Sequence, residues 1–196
     1  MSAHAITKTR ARFSPLDPQR QSLAWKAGAV LFGGLFLALS SRIEVPMVPV
    51  PITMQTFAVT LIGALYGWRL GATTVLAWLA AAAMGLPLLA GGKFGLAPFI
   101  GPTAGYLFAF PVAAAVTGWL AERGWNGNRM VLAGLSMLVG NLLCLALGAL
   151  WLAQLIGVEK AIAGGVTPFL LGAVLKSVLG AMVLRLMTRG ARRHDA

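Results

Sequence analysis

The chain is short of the side chains that carry chemistry. Among its 196 residues are five acids, two histidines and one cysteine. Both histidines, His4 and His194, lie in the terminal stretches, so they assemble neither a metal site nor a catalytic triad. A lone cysteine makes no internal disulfide, and Cys144, inside an apolar run, reads as a small packing residue. The acids Asp17, Glu44, Glu122, Glu159 and Asp195 fall in the tails or between apolar runs. No two of them share a helix face within a membrane, which excludes paired-carboxylate hydrolysis. Gly91-Gly92-Lys93 is followed by Phe94 where a phosphate loop requires serine or threonine, and Pro87 stands where its first glycine belongs. The expectation is a protein that is not an enzyme and uses no metal or cofactor. Any uphill movement of a solute then draws on an ion gradient or on another chain.

What the chain has in abundance is apolar surface. Apolar residues make up 58% and charged residues 11%, there are 24 glycines, and the mean hydropathy is +0.81. Such a composition belongs to integral membrane proteins. A bilayer core of about 30 Å takes roughly 20 residues of helix, and six runs approach that length: Trp25 to Ser41, Thr53 to Trp68, Leu70 to Leu89, Phe99 to Ala121, Met130 to Ile156 and Pro168 to Met187. An open sheet would strand its backbone donors in lipid, and a barrel would show alternating strands of about ten residues. The predicted fold is therefore an all-α integral membrane protein, a six-transmembrane-helix bundle over 24–188, with basic tails at 1–23 and 189–196. Ala38-Leu39-Ser40 loosely imitates a signal cleavage site, but another membrane segment follows it, so no secretory leader is expected.

The net charge of +11 is distributed unevenly. Lys8, Arg10, Arg12, Arg20, Lys26, Arg69, Arg123, Arg129, Arg185, Arg189, Arg192 and Arg193 fall on one side of the six runs; Arg42, Lys93 and Lys160 fall on the other. The positive-inside rule then places both termini in the cytoplasm, with the chain multi-pass in a bacterial cytoplasmic membrane. The basic tails serve as topology signals and contacts to membrane lipid, and no nucleic-acid partner is expected.

One cation stands apart. Lys176 lies mid-way along Pro168 to Met187, a run without any acid. A charge at that depth costs at least about 3 kcal/mol on insertion scales and calls for a partner. Either an anionic ligand supplies it from outside, or the lysine snorkels along its stem to an interface. Three further segments suit a ligand. Val45 to Gln55 is apolar and carries Pro46, Pro49 and Pro51, fitting a stiff lid over the bundle mouth or a rigid connector, with Gln55 opening the next helix. Ala90 to Tyr106 holds five glycines, among them Gly91 and Gly92, with Lys93, Thr103 and Tyr106 as polar groups; close backbone approach or helix packing explains the glycines equally well. Asn141, an amide in mid-helix, bonds another helix or a polar solute.

These segments carry a resemblance. VPMVPVPITMQTFAVTLIGALYG, then GGKFGLAPFIGPTAGYLFAF, then Gly140-Asn141-Leu142 in a helix ending at Trp151-Leu152, then PFLLGAVLK, resemble in order the BioY family of biotin transporters. The likeness runs from about Ala24 to Leu186. It implies the substrate-binding S component of an energy-coupling factor importer: a six-helix bundle holding biotin near its outer face, beneath the first loop. Gln55, Gly91, Gly92, Lys93, Thr103, Tyr106, Asn141 and Lys176 become candidate substrate contacts, and Pro46, Pro49 and Pro51 the lid. The ureido ring asks for donors and acceptors, the thiophane ring and valeryl chain for an apolar slot, and the carboxylate for Lys176 or Lys93. One departure stands out, since the family's final helix usually has proline and aspartate shortly before its lysine, where this chain has Leu171 and Ala173.

Helix one spaces small residues four apart, Ala29 with Gly33, a surface that admits another helix closely. The resemblance assigns that stripe to docking on a transmembrane coupling subunit, which works with ATPase subunits; internal packing and self-association fit the same spacing. The expected function is biotin uptake across the cytoplasmic membrane. The alternatives are a solitary or oligomeric carrier of biotin or another small anionic vitamin, and a membrane scaffold that transports nothing.

Overall fold

The computed structural model describes residue 14 and residues 16–194. The tail positions His4, Lys8, Arg10, Arg12 and Asp195 lie outside the described residues. Ser22 opens the bundle, its hydroxyl accepting from the Trp25 amide at 3.2 Å and capping α1, Leu23–Ser41. The chain then forms a short antiparallel pair, β1 (Glu44–Val45) against β2 (Ile52–Thr53), with Glu44 opposite Thr53. Helices α2 (Gln55–Ala83), α3 (Ala104–Glu122), α4 (Met130–Ile156), the short α5 (Val158–Gly165) and α6 (Thr167–His194) follow. Between α2 and α3 the chain makes two single turns of 3-10 helix, Ala90–Gly92 and Ala97–Phe99.

Among the described residues, five helical stretches are long and apolar enough to cross a membrane: α1, α2, α3, α4 and the stretch that joins α5 to α6. Most of the second and third apolar runs of the sequence falls within α2. Gly67 interrupts that helix at φ 77° and ψ 174°, a conformation open to glycine and strained for any other residue. A β-carbon placed on Gly71 would lie 3.0 Å from the α-carbon of Gly63. Eight residues along a straight helix span about 12 Å. The chain therefore turns back at Gly67, and its two arms lie against each other on their glycines. Helix α3 joins the same crossing: a β-carbon on Gly118 would stand 2.5 Å from the Trp68 nitrogen, and one on Gly63 would stand 2.4 Å from the Ala114 carbonyl oxygen. Small residues make this three-way backbone approach possible. Glu122 adds a polar tie by accepting from the Trp68 amide at 3.3 Å.

The third run was expected to extend to Leu89, but α2 ends at Ala83; Gly85 at φ 109° and then Pro87 divert the chain. Likewise α3 begins at Ala104 and not Phe99, because Pro98, Gly101 and Pro102 shape the preceding turns. The outer surface of the bundle is apolar, with Leu31, Phe32, Leu35, Leu142, Leu150, Leu171 and Leu175 exposed on the helices. That suits lipid and not water, as in a multi-pass membrane protein.

The small-residue stripe of α1 faces inward. The Ala29 carbonyl accepts from the Tyr66 hydroxyl at 3.1 Å, and a β-carbon on Gly33 would lie 2.7 Å from the Thr74 methyl. Ala29 and Gly33 are thus covered by the chain's own α2, and the close approach read from their spacing is made inside the bundle. This matches the internal packing that the same spacing allows.

Candidate functional site

A cavity opens where the start of α2, the start of α3, the middle of α4 and the first half of α6 converge beneath residues 50–53. Counting the open space at its mouth, about 700 Å³ there is free of protein atoms. Leu107, Phe110, Leu145 and Phe169 make it an apolar slot, closed above by Val50 and Pro51. Phe110 stacks on Trp78 at 6.0 Å between ring centroids, and Phe169 stacks on Tyr106 at 6.4 Å, so the aromatic walls are held by second rings.

The polar groups are few. Lys176, on the cavity face of α6, donates to the Thr53 carbonyl and to the Thr56 hydroxyl, the latter at 3.2 Å. An ammonium has three protons, so one remains, and both acceptors are neutral oxygens. Ala173, one turn earlier on α6, also lines the cavity and brings no carboxylate to the lysine. Gln55 is buried at the first position of α2. Its amide donates to the Ser41 hydroxyl at 3.0 Å and its oxygen accepts from the Thr53 hydroxyl at 3.1 Å, which ties α1 to β2. Asn141 spends both amide protons on protein: on the Met137 carbonyl at 2.9 Å and on the Ser177 hydroxyl at 3.2 Å. Its oxygen accepts nothing, and no fully buried side-chain polar atom among the described residues lacks a partner. That oxygen therefore opens to the cavity, which Asn141 lines.

Six sequence candidates thus meet around one space: Gln55, Lys93, Thr103, Tyr106, Asn141 and Lys176. Tyr106 presents its ring, since its hydroxyl donates to the Gly165 carbonyl at 2.8 Å. Thr103 bonds the Pro98 carbonyl at 3.2 Å, and exposed Lys93 stands at the rim. Gly91 and Gly92 do not line the cavity. At φ 64° and 72° they let the hairpin approach from outside, with the Gly91 β-position 3.3 Å from the Glu44 carboxylate and the Gly92 β-position 2.8 Å from the Arg42 guanidinium. Arg42 also donates to the Pro87 carbonyl at 2.7 Å, fastening hairpin to loop. Of the lid prolines Pro51 touches the cavity, Pro46 is exposed, and the Pro49 ring lies 2.9 Å from the β-position of Gly164 on α5.

The sequence reading missed Thr56 and the apolar wall, including Leu89, Leu107, Phe110, Leu145 and Phe169. Thr56 adjoins Gln55 and needed only the register of α2; no local signal marks Phe169 or Leu89. Nothing in the cavity pairs a nucleophile with a base, and Cys144 is buried, its sulfur 3.8 Å from the Tyr106 carbonyl. An ammonium with a spare proton, an amide oxygen and an apolar slot are groups suited to holding a small anionic molecule.

The BioY family model matches residues 15–193. The chain belongs to the BioY family. Among its relatives, the probable biotin transporter BioY of Pyrococcus horikoshii is 35% identical over 161 residues, covering 81% of this chain and 94% of that protein. The biotin transporter BioY of Rhizobium etli is 38% identical over 170 residues, covering 82% and 90%. In three dimensions the chain is similar to the crystal structure of the S-component for biotin from an ECF-type ABC transporter, with a TM-score of 0.76 and 25% identity over 86% of this chain and 95% of that one. The BioY fold therefore extends over nearly the whole of the described bundle.

Proposed function

We propose that this BioY protein takes up biotin, holding it in the cavity beneath the proline hairpin. The observation that carries this reading is Lys176: its ammonium lines an apolar cavity, its partners among the described residues are two neutral oxygens, and one proton is unspent. A ligand carboxylate completes that coordination, and a charged hydrogen bond of this kind contributes about 1.5–3 kcal/mol. The slot of Leu107, Phe110, Leu145 and Phe169 suits the valeryl chain and thiophane ring, and the Asn141 oxygen suits a ureido N–H. Gln55 and Lys93 complete the polar set, and Pro51 with Val50 forms the underside of the lid.

In the same reading each arm of α2 crosses the membrane, which makes six spans, with the cavity outside and both termini in the cytoplasm. The excess of arginine and lysine at the end of the bundle away from the cavity supports this orientation. The chain acts as the substrate-specific component and relies on a transmembrane coupling subunit and ATPase subunits, since it carries no phosphate loop of its own. Biotin methyl ester tests the carboxylate assignment. Purified protein should bind the ester at least about tenfold more weakly than biotin, as loss of a charged hydrogen bond requires, and the difference should vanish in Lys176→Met. Equal affinity for acid and ester would overturn it.

A further inference from the structure

At the opposite end of the bundle from the biotin cavity a second hollow lies between α4 and α6, and its charge is of one sign. It is lined by Arg129, Arg185 and Arg189 with Met130, Val131 and Leu132. Thirteen residues of α6 separate Arg189 from Lys176, which is about 20 Å of helix. Arg185 is steered into place by donating to the Asn128 carbonyl at 2.9 Å. Arg129 and Arg189 are exposed and have no carboxylate partner among the described residues. Three guanidiniums, one from the N-cap of α4 and two from α6, thus line a hollow that holds no acid among the described residues. Like charges brought together repel unless an anion joins them, and the planar fork of arginine matches phosphate oxygens.

The surroundings give the anion its character. Val131 is 76% exposed and Leu186 67% exposed, one residue or two from the arginines, and exposed Leu135 and Met182 lie one turn further toward the middle of the bundle. A charged hollow that continues into an uncovered apolar track along two helices fits a molecule with an anionic head and hydrocarbon tails. Basic hollows between membrane helices commonly take lipid phosphates. We propose that Arg129, Arg185 and Arg189 form a binding site for the phosphodiester headgroup of an anionic lipid, whose acyl chains lie along α4 and α6. The site is separate from the biotin cavity and does not depend on what that cavity holds.

Native mass spectrometry of the full chain in detergent, with dioleoylphosphatidylglycerol or dioleoylphosphatidylcholine added, tests the assignment. The variant combines Arg129→Gln with Arg189→Gln, two exposed side chains that make no hydrogen bond in the structure, and thermal unfolding checks that it is folded. Retention of phosphatidylglycerol should fall by about tenfold or more, in line with the attraction of two arginines to an anionic lipid. Retention of phosphatidylcholine should not change. A second variant, Lys26→Gln with Arg69→Gln, removes charge from a different hollow at the same end and should retain phosphatidylglycerol as wild type does. Equal retention by wild type and the Arg129/Arg189 variant, or an equal loss in the Lys26/Arg69 variant, would overturn the site. Displacement of the lipid by equimolar inorganic phosphate would overturn the lipid assignment in favour of a soluble anion. Biotin affinity, measured on the same samples, should be unaffected, so failure here and failure of the biotin reading remain distinguishable.

Discussion

Lys176 of α6 donates to the hydroxyl of Thr56 on α2 across 3.2 Å, joining residues 120 positions apart. With its second bond, to the Thr53 carbonyl, the lysine clips α6 to the point where β2 leads into α2. The side chain therefore does not snorkel to an interface. It is fixed in the cavity by two neutral acceptors, and the direction of its remaining proton is set before a ligand arrives. Such preorganisation lowers the ordering cost of binding.

Lys176→Met should weaken biotin binding by about 1.5–3 kcal/mol, the range for a charged hydrogen bond. Isothermal titration calorimetry on protein in detergent reads this directly. Protein yield should hold or rise, because a buried cation no longer has to enter the membrane. Unchanged affinity would remove Lys176 from the site.

Tyr106→Phe should behave differently. Its hydroxyl is committed to the Gly165 carbonyl at 2.8 Å, so the substitution removes a tie between α3 and the end of α5 and leaves the ring in the wall. Thermal stability should drop by about 0.5–1.5 kcal/mol, with biotin affinity changed less than twofold or so. A large loss of affinity without loss of stability would mean that the hydroxyl meets the ligand.

Much of this arrangement was legible in the sequence, and the failures share a cause. Length and hydropathy located α1 and α4 to within two residues and the start of α6 to within one, although α6 continues seven residues past Met187, and Trp68-Arg69 marked the place where α2 reverses. Lys176 and Asn141 declared themselves by being polar in apolar runs. Spacing alone, however, does not say which way a small-residue face points. Ala29 and Gly33 have the same pattern whether they meet α2 or another protein, and only tertiary placement decides. Gly91 and Gly92 likewise signalled close approach correctly, but what approaches them is the Arg42–Glu44 hairpin and not the cavity. Thr56 and Phe169 reach the site through packing between distant segments, which leaves no local mark.

The inward orientation of the α1 stripe gives a prediction opposite to that for a docking face. Gly33→Trp would drive an indole into Thr74 and Tyr66, the former already 2.7 Å from the β-position. Overpacking of this kind costs about 1–3 kcal/mol or more. Size-exclusion chromatography in detergent should show poor yield and aggregation, and biotin binding should fall with it. A well-folded Gly33→Trp protein that binds biotin normally would contradict the packing described for α1.

The hairpin gives a kinetic prediction. Pro46, Pro49 and Pro51 narrow the unbound ensemble of the loop that closes the cavity, so replacing all three with glycine should increase the entropy lost on closure. Stopped-flow measurements should find a faster off-rate for biotin with the on-rate altered little. Trp78, stacked on the cavity-lining Phe110, is a natural fluorescent reporter. An unchanged off-rate would reduce the hairpin to a connector.

The most direct test is saturation binding of radiolabelled biotin to the purified chain alone, in detergent, without coupling or ATPase subunits. A single cavity predicts saturable binding with one biotin per chain, competed by unlabelled biotin and weakened by about 1.5–3 kcal/mol in Lys176→Met. Absence of saturable binding by folded wild-type protein would contradict the assignment of the cavity to biotin.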